Sequence, residues 1–356
     1  MNDTIPLNDR QKKILNLLGE RGEQSRQQLS KFISQQKTYS KITLIRDINH
    51  LLNTGLISVT GRARAVKYFL PHTNPLLAYF DIESYFEKDQ DSRGGKKGFE
   101  KDIFDKLQNV FTSEEKEKWV ESSEEFKRRI TNLDISIYKR ELERFIIEFS
   151  WKSAQIEGNT YDLLETETLL TQNIEAKGHT REEAIMLINH KKAFDIILEK
   201  ISLGQRRKSF LKLDFSDVTQ LHGTLTKGLT TSGIRKQEVR IAGTSYIPAI
   251  DNTDLEFYLR RTIKLINETD FPPQKAFIAS FMIAYIQPFA DGNKRTSRML
   301  SNAILLAHNY FPLSYRNVDV NEYKKAIIVF YEQNNLYHLK SIFNRQLDFA
   351  LANYFK

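Results

Sequence analysis

Gln287-Pro-Phe-Ala-Asp-Gly-Asn-Lys-Arg-Thr-Ser-Arg298 is the stretch on which the reading of this 356-residue chain turns. It closes an apolar run, residues 276–289, that is too short to span a bilayer and reads as a buried helix ending at Pro288. Asp291-Gly292-Asn293 is a tight turn, and Lys294-Arg295-Thr296-Ser297-Arg298-Met299-Leu300 opens a second helix. A glycine turn entering a helix N-terminus presents free backbone N–H groups, the usual seat of an anion. Arg295 and Arg298 lie three apart, on neighbouring positions of the helix surface, where their charges oppose the macrodipole. A bound polyphosphate relieves that conflict, and Asp291 beside the turn could hold Mg²⁺ through its carboxylate. A basic helix start with exposed arginines fits the spacing equally well.

Working outward, Leu142, Phe145, Phe149 and Ile156 give one face of a helix that Gly158-Asn159 ends. Glu157 then sits at a helix C-terminus, where a carboxylate is disfavoured and wants a cation. Residues 239–250, with Gly243 and Pro248 among β-branched and aromatic residues, read as a short hairpin. Thr112 to Ile130 reads as a charged amphipathic helix. Residues 87–102, dense in charge around Gly94-Gly95, read as a linker or exposed loop.

The N-terminal segment differs in charge. Residues 1–72 hold 12 Lys and Arg against 5 Asp and Glu, whereas the other 284 hold 41 against 40, so nearly all of the net +8 lies at one end. Such asymmetry suggests a polyanionic partner; a solvated basic surface is the alternative. Asn8 and Ser40 are candidate N-caps. Ile42, Ile45, Ile48 and Leu52 form a stripe, Gly55 stops that helix, and two short strands flank residues 61–64. Residues 40–57 resemble the recognition helix and wing entry of DeoR-type winged helices. The resemblance assigns Tyr39, Ser40, Lys41, Thr43 and Arg46 to the major groove and phosphates of DNA, and Arg62 and Arg64 to the wing tip. A winged helix used only for protein contacts or dimerisation is the competing reading.

The central stretch is similar to the Fic motif, His-x-Phe-x-Asp/Glu-Gly-Asn-Gly/Lys-Arg-x-x-Arg, matching it at Phe289, Asp291, Gly292, Asn293, Lys294, Arg295 and Arg298. The resemblance implies that Asp291 holds Mg²⁺ and that Gly292, Asn293, Lys294, Arg295 and Arg298 bind ATP, with Lys294 standing where many members have glycine. It makes Phe289 a packing anchor. The position of the catalytic histidine is Gln287, whose amide is not basic. Ser153-Ala-Gln-Ile-Glu157-Gly158 resembles the inhibitory motif Ser/Thr-x-x-x-Glu-Gly/Asn, placed N-terminal to the core as in class II members. This implies that Glu157 pairs with Arg298 and blocks the γ-phosphate seat. Arg240, Ile241, Ala242 and Gly243 correspond to the flap on which an extended target segment docks.

The expected fold is mainly α: a Fic-type helical domain with a short β-hairpin flap and a small N-terminal winged-helix (α/β) domain. The expected organisation is a winged helix over 1–72, linker and accessory helices over 73–135, and a Fic domain over 136–350 with its inhibitory helix at Ser153–Asn159. The function implied is that of a protein adenylyltransferase, moving AMP from ATP to a Ser, Thr or Tyr hydroxyl of a target protein, with chemistry impaired at Gln287 and nucleotide binding retained. The alternative is a DNA-binding regulator with a nucleotide-sensing Fic pseudoenzyme domain. A homodimer is a further expectation. The absence of cysteine, of a signal-like N-terminus and of a membrane-length apolar run fits a reducing cytoplasm. His222, His308 and His338 are isolated and read as structural.

Overall fold

The computed structural model describes residues 7–34, 39–62, 65–71, 74–202, 210–249 and 252–356. Arg64 and Ile250, both included in the expectations above, lie outside them. The chain divides into two compact units, 1–81 and 82–356, so the first unit runs past the boundary at 72 expected from the sequence. No helix is long and apolar enough to cross a membrane among the described residues.

The first unit runs α1 (Asp9–Arg21), β1 (Gln24–Ser25), α2 (Arg26–Ile33), α3 (Lys41–Asn53), β2 (Ser58–Thr60) and β3 (Lys67–Phe69). Each helix starts where a side chain answers its free N–H groups. Asn8 and Gln11 form a capping box on α1, Ser25 and Gln28 another on α2, and Ser40 accepts from Thr43 N on α3. The strands make an antiparallel sheet in the order β1-β3-β2, with Gln24 opposite Tyr68 and Ser58 opposite Phe69. Gly61, at φ +80°, makes the turn between β2 and β3, and a Cβ there would run into the Ala65 carbonyl.

The α3 stripe is phased differently from expectation. Leu44, Ile48 and Leu51 face the core, Ile42 is 65% exposed, and Asp47 is buried with them. Asp47 is tolerated there because it accepts from Arg10 Nε at 2.7 Å, Asn8 Nδ2 at 3.0 Å and Gln11 Nε2 at 3.1 Å. A buried carboxylate, invisible to a hydrophobic periodicity, turns the helix so that Ile42 points outward.

The second unit adds α4 (Ile82–Phe86), α5 (Ile103–Lys106), α6 (Ser113–Asn132), α7 (Ile135–Ile156), α8 (Leu163–Gln172), α9 (Arg181–Ser202), α10 (Phe215–Thr226), α11 (Asn252–Glu268), α12 (Pro272–Ile286), α13 (Asn293–Ala307), α14 (Val320–Gln333) and α15 (Tyr337–Asn353). At its centre α12 and α13 pack against each other, ringed by α7, α9, α10 and α11. From Pro273 to Ile286 every residue of α12 is buried, as the largely apolar run from Ala276 onward demands, and Gln274 and Lys275 are buried with it. The charged α6 has a definite role. Trp119 stacks on Phe343 and donates to Asn344 at 3.0 Å, while Arg129 Nη1 caps the last carbonyls of α15 at Leu351 and Tyr354.

Two segments depart from the sequence reading, and for one reason. Residues 87–102 are not a detached linker. Arg93 is 8% exposed, its guanidinium donates to Glu332 and to the Gly243 carbonyl, and Lys96 N donates to Glu332 O at 2.7 Å. Residues 239–249 form no hairpin. Thr244 and Tyr246, alternate residues of an extended stretch, are buried against the core, and Ile247 N donates to Lys97 O at 2.9 Å, making a parallel bridge with Gly98. The partner of this backbone is therefore a segment some 150 positions away rather than its own preceding arm. Glu332, 1% exposed in its side chain, joins the two through Tyr85 Oη at 2.7 Å, Thr244 Oγ1 at 2.6 Å and Arg93.

Glu332→Ala leaves the Arg93 guanidinium buried and uncompensated. It is expected to destabilise the second unit by about 3–5 kcal/mol, measured by denaturant unfolding. Glu332→Gln, which keeps part of the network, is expected to cost less. A change under about 1 kcal/mol would show that residues 85–98 are held by other contacts.

Candidate functional site

The site is the loop that joins α12 to α13. Gln287 ends α12 in the left-handed region at φ 54°, and Gly292 starts α13 at φ 79°. Between these two reversals Asn293 closes the loop on itself. Its Oδ1 accepts from Phe289 N at 3.0 Å, and its Nδ2 donates to Phe289 O and to Gln287 Oε1, both at 2.8 Å. Gln287 Nε2 donates in turn to Ala284 O at 2.7 Å. This pattern fixes which end of the Gln287 amide is oxygen, since exchanging O and N would set donor against donor.

Glycine at 292 is required twice over. Its φ is positive, and a Cβ would lie 2.6 Å from Thr226 Cγ2. Thr226 cannot swing away, because it is fully buried with its hydroxyl bonded to His222 O at 2.7 Å. His222 stacks on Phe289 with ring centroids 3.7 Å apart, and its Nε2 donates to Asp291 O at 2.9 Å. Burial lowers its pKa, so it stays a neutral packing group. Phe289 is an anchor, as the resemblance implied.

No side chain caps α13 at Gly292, so its first-turn amides have no side-chain acceptor, the condition in which a helix N-terminus can take an anion. Arg295, 2% exposed in its side chain, donates Nη2 to Asp291 Oδ2 at 2.6 Å. The Asp291 side chain is 64% exposed, leaving its other oxygen open to a cation. Among the described residues there is no cluster of three or more His, Cys, Asp or Glu placed to hold a metal. A cation at Asp291 would thus complete its shell from phosphate oxygens and water, the usual habit of Mg²⁺.

Arg298 has no exposed side-chain surface. Nε donates to Ser153 Oγ at 3.1 Å, and Nη2 donates to Ser153 O at 2.9 Å and Glu157 Oε1 at 2.8 Å. Nη1 has no partner, an orphaned buried donor of the kind a phosphate oxygen would satisfy. Lys294 Nζ reaches Glu157 Oε2 at 2.7 Å. Burial works to raise the Glu157 pKa, but the charges of Arg298 and Lys294 outweigh it and hold it at about 2. A carboxylate so depressed stays ionised until pH falls toward that value, so protonation does not release this contact near neutrality.

Ser153 lies in the last turn of α7, Glu157 is its C-cap residue, and Gly158 follows at φ 99°. Arg240, Ala242 and Gly243 are exposed and Ile241 half-buried, on the segment that lacks the expected hairpin. In the first unit Ser40, Lys41, Arg46 and Arg62 are exposed, while Tyr39 and Thr43 are half-buried. The Arg10 guanidinium lies 5.1 Å from the Tyr39 ring centre.

Two residues of the second unit escaped the sequence reading. His190 is fully buried; its Nδ1 donates to Met186 O at 2.8 Å, leaving Nε2 to accept from Ser153 Oγ at 3.0 Å, so the serine's lone pairs face Arg298. Burial holds the His190 pKa near 3 and keeps that tautomer neutral. Arg235, 5% exposed, donates Nε to Gln287 O at 2.6 Å and Nη2 to Ala249 O, tying the loop to residues 237–249. Its partners are backbone carbonyls, which leave no mark in sequence.

Gly292→Ala is expected to destabilise the second unit by about 1–3 kcal/mol, read by thermal or denaturant unfolding. Adding Thr226→Ser removes the blocking methyl, keeps the hydroxyl, and should recover part of the loss. No recovery would leave backbone conformation as the whole cause.

Comparison with known proteins agrees with this geometry. The model of the Fic/DOC family matches residues 212–305. The protein adenylyltransferase Fic of Drosophila erecta is 27% identical over 170 residues, 46% of this chain and 32% of that protein. The one from Drosophila mojavensis is 26% identical over 185 residues, 50% of this chain and 35% of that protein. The chain thus matches about a third of the length of these relatives. Among solved structures, Fic-1 of C. elegans superposes with a TM-score of 0.56 at 18% identity, covering 67% of this chain and 69% of that one. A Fic domain containing signaling protein from Bacteroides thetaiotaomicron gives 0.53 at 18% identity, covering 67% and 95%. At such identity the likeness speaks for the fold alone. Residues 212–305 thus match the model of the Fic/DOC family, within a fold shared with Fic-domain structures, and the similar Drosophila proteins are protein adenylyltransferases.

Proposed function

We propose that the loop from Gln287 to Arg298 binds ATP with Mg²⁺, that Glu157 holds this seat closed, and that AMP transfer to a target protein is crippled at Gln287. The observation that carries the proposal is the contact of Glu157 with Arg298 at 2.8 Å, with an unpartnered Nη1 on the same guanidinium. A carboxylate lying against the motif's last arginine occupies the place of an anion.

In this reading the amides at the start of α13 cradle the phosphates, and Arg295 and Arg298 answer the outer charges. Asp291 offers the exposed oxygen for Mg²⁺, which supplies charge neutralisation on the phosphates when bound. Transfer would join the α-phosphorus to a Ser, Thr or Tyr oxygen, release pyrophosphate and require the hydroxyl proton to leave. Gln287 has no basic atom for that proton, and its oxygen already accepts from Asn293. Loss of a general base costs about 10²–10⁴ in rate, whereas nucleotide binding does not depend on it.

Calorimetry with ATP–Mg²⁺ is expected to show tighter binding by Glu157→Gly than by the unaltered chain. With ATP labelled at the α-phosphate the unaltered chain should take up no label, and Gln287→His combined with Glu157→Gly should label itself. Absence of nucleotide binding in both proteins sinks the seat; binding without labelling in the double variant sinks only the transfer chemistry.

A second reading applies to the first unit, whose basic excess and exposed Ser40, Lys41 and Arg46 on and before α3 suit a nucleic acid. In it the unit is a winged helix that binds DNA, with exposed Ile42 offering an apolar contact of the sort a thymine methyl accepts. Electrophoretic mobility shifts across a salt series should show affinity falling steeply with salt, and Arg46→Ala lowering the log–log slope by about 1. Absence of binding at low salt removes the DNA reading.

A further inference from the structure

Glu157 has two carboxylate oxygens, and a different cation holds each: Arg298 Nη2 on Oε1 at 2.8 Å and Lys294 Nζ on Oε2 at 2.7 Å. The two cations are one turn apart on α13, so they present to the same side of the helix. Arg298 alone would let the carboxylate pivot about a single contact; with both oxygens engaged its orientation is fixed. The Lys294 side chain is only 27% exposed and that of Glu157 14%, so this pair is less screened than a surface ion pair. The sequence puts lysine at a motif position where many members carry glycine, which has no side chain to make this contact.

We propose that Lys294 is a second clamp on Glu157, so that the closed state is held at two points and an incoming polyphosphate must take both cations from one carboxylate. The proposal rests on the reading of this loop as a nucleotide seat and adds to it the means of its closure. Lys294 then acts in two opposed ways. It attracts the phosphates once Glu157 has left, and it raises the cost of Glu157 leaving. In the unaltered chain the two effects of removing it offset one another. Where Glu157 is absent, only the attraction remains to be lost.

The test is a double-mutant cycle in ATP–Mg²⁺ affinity by calorimetry, over the unaltered chain, Lys294→Met, Glu157→Gly and the combination. Methionine keeps helix propensity and length while losing the charge. In the Glu157→Gly background Lys294→Met is expected to weaken binding by about tenfold, the worth of a charge-assisted contact. In the unaltered background it should change binding by no more than about twofold, since the released clamp offsets that loss. The same factor in both backgrounds overturns the clamp and leaves the nucleotide seat standing.

A nucleotide-free measurement decides the matter independently. The amides of Glu157, Gly158 and Asn159 donate to the Ala154 and Gln155 carbonyls at the end of α7. Their hydrogen-exchange protection should fall several-fold in Lys294→Met, and unchanged protection overturns the proposal. If none of the four proteins binds ATP, the nucleotide seat fails while the exchange result still stands for or against the clamp.

Discussion

A guanidinium with no surface in water must have its charge answered from inside the protein, and Arg298 sets that demand at the centre of the larger unit. Its hydrogen-bond acceptors come from the end of α7, namely the Ser153 hydroxyl, the Ser153 carbonyl and the Glu157 carboxylate, while the Tyr323 ring of α14 lies 5.4 Å from the guanidinium. The arrangement settles a conflict on each side. Glu157 at a helix C-terminus and Arg298 near a helix N-terminus are each disfavoured by their own helix dipole, and each relieves the other. His190 extends the constraint outward. Because its Nδ1 is spent on Met186 O, it can only accept from Ser153, which turns the hydroxyl's lone pairs toward Arg298.

The loop before α13 follows from the same economy of polar groups. Two left-handed residues, Gln287 and Gly292, reverse the chain within six positions, and a non-glycine residue in that region carries a cost of about 1–2 kcal/mol. Asn293 and Arg235 bond the carbonyls that the reversal exposes at 287 and 289, so the strain is held in place by buried hydrogen bonds. What remains unsatisfied is the set that an anion would fill: first-turn amides without a side-chain cap, and Arg298 Nη1.

How much of this was legible in the sequence varied with the range of the interaction. Helix starts were readable because a cap and its amides lie within three residues, as at Asn8 and Ser40. The buried α12 was readable because its apolar run leaves no polar face. The turn at Gly292 and the helix end at Gly158 were readable from glycine itself. The phase of α3 was missed because Asp47 is buried by partners on α1, so that a charged residue faces the core while Ile42 faces solvent. The hairpin over 239–250 was missed because strand-forming residues say nothing of which backbone they will meet, and Ile247 meets Lys97. Residues 87–102 looked like a linker because their charge is high, yet Arg93 is carried inside by Glu332, far along the chain. Arg235 and His190 act on backbone carbonyls and on one hydroxyl, and no spacing rule encodes those.

Gln287 shows why binding and chemistry must be argued apart at this site. Both ends of this amide are engaged, with Ala284 O and Asn293 Nδ2, and its own carbonyl receives Arg235. Glutamine here is part of the frame that shapes the turn before α13. A base at this position would need a free lone pair directed at the incoming hydroxyl and a pKa near neutrality. The amide has no such pKa, and its oxygen already accepts from Asn293 with one of its two lone pairs. The frame therefore does not require a base, and the groups from Asp291 to Arg298 are held by bonds that do not involve one. In the proposed reading the turn is governed by a competition between anions: the Glu157 carboxylate, fixed by the fold and ionised at any ordinary pH, against a polyphosphate that reaches Arg298 from solution.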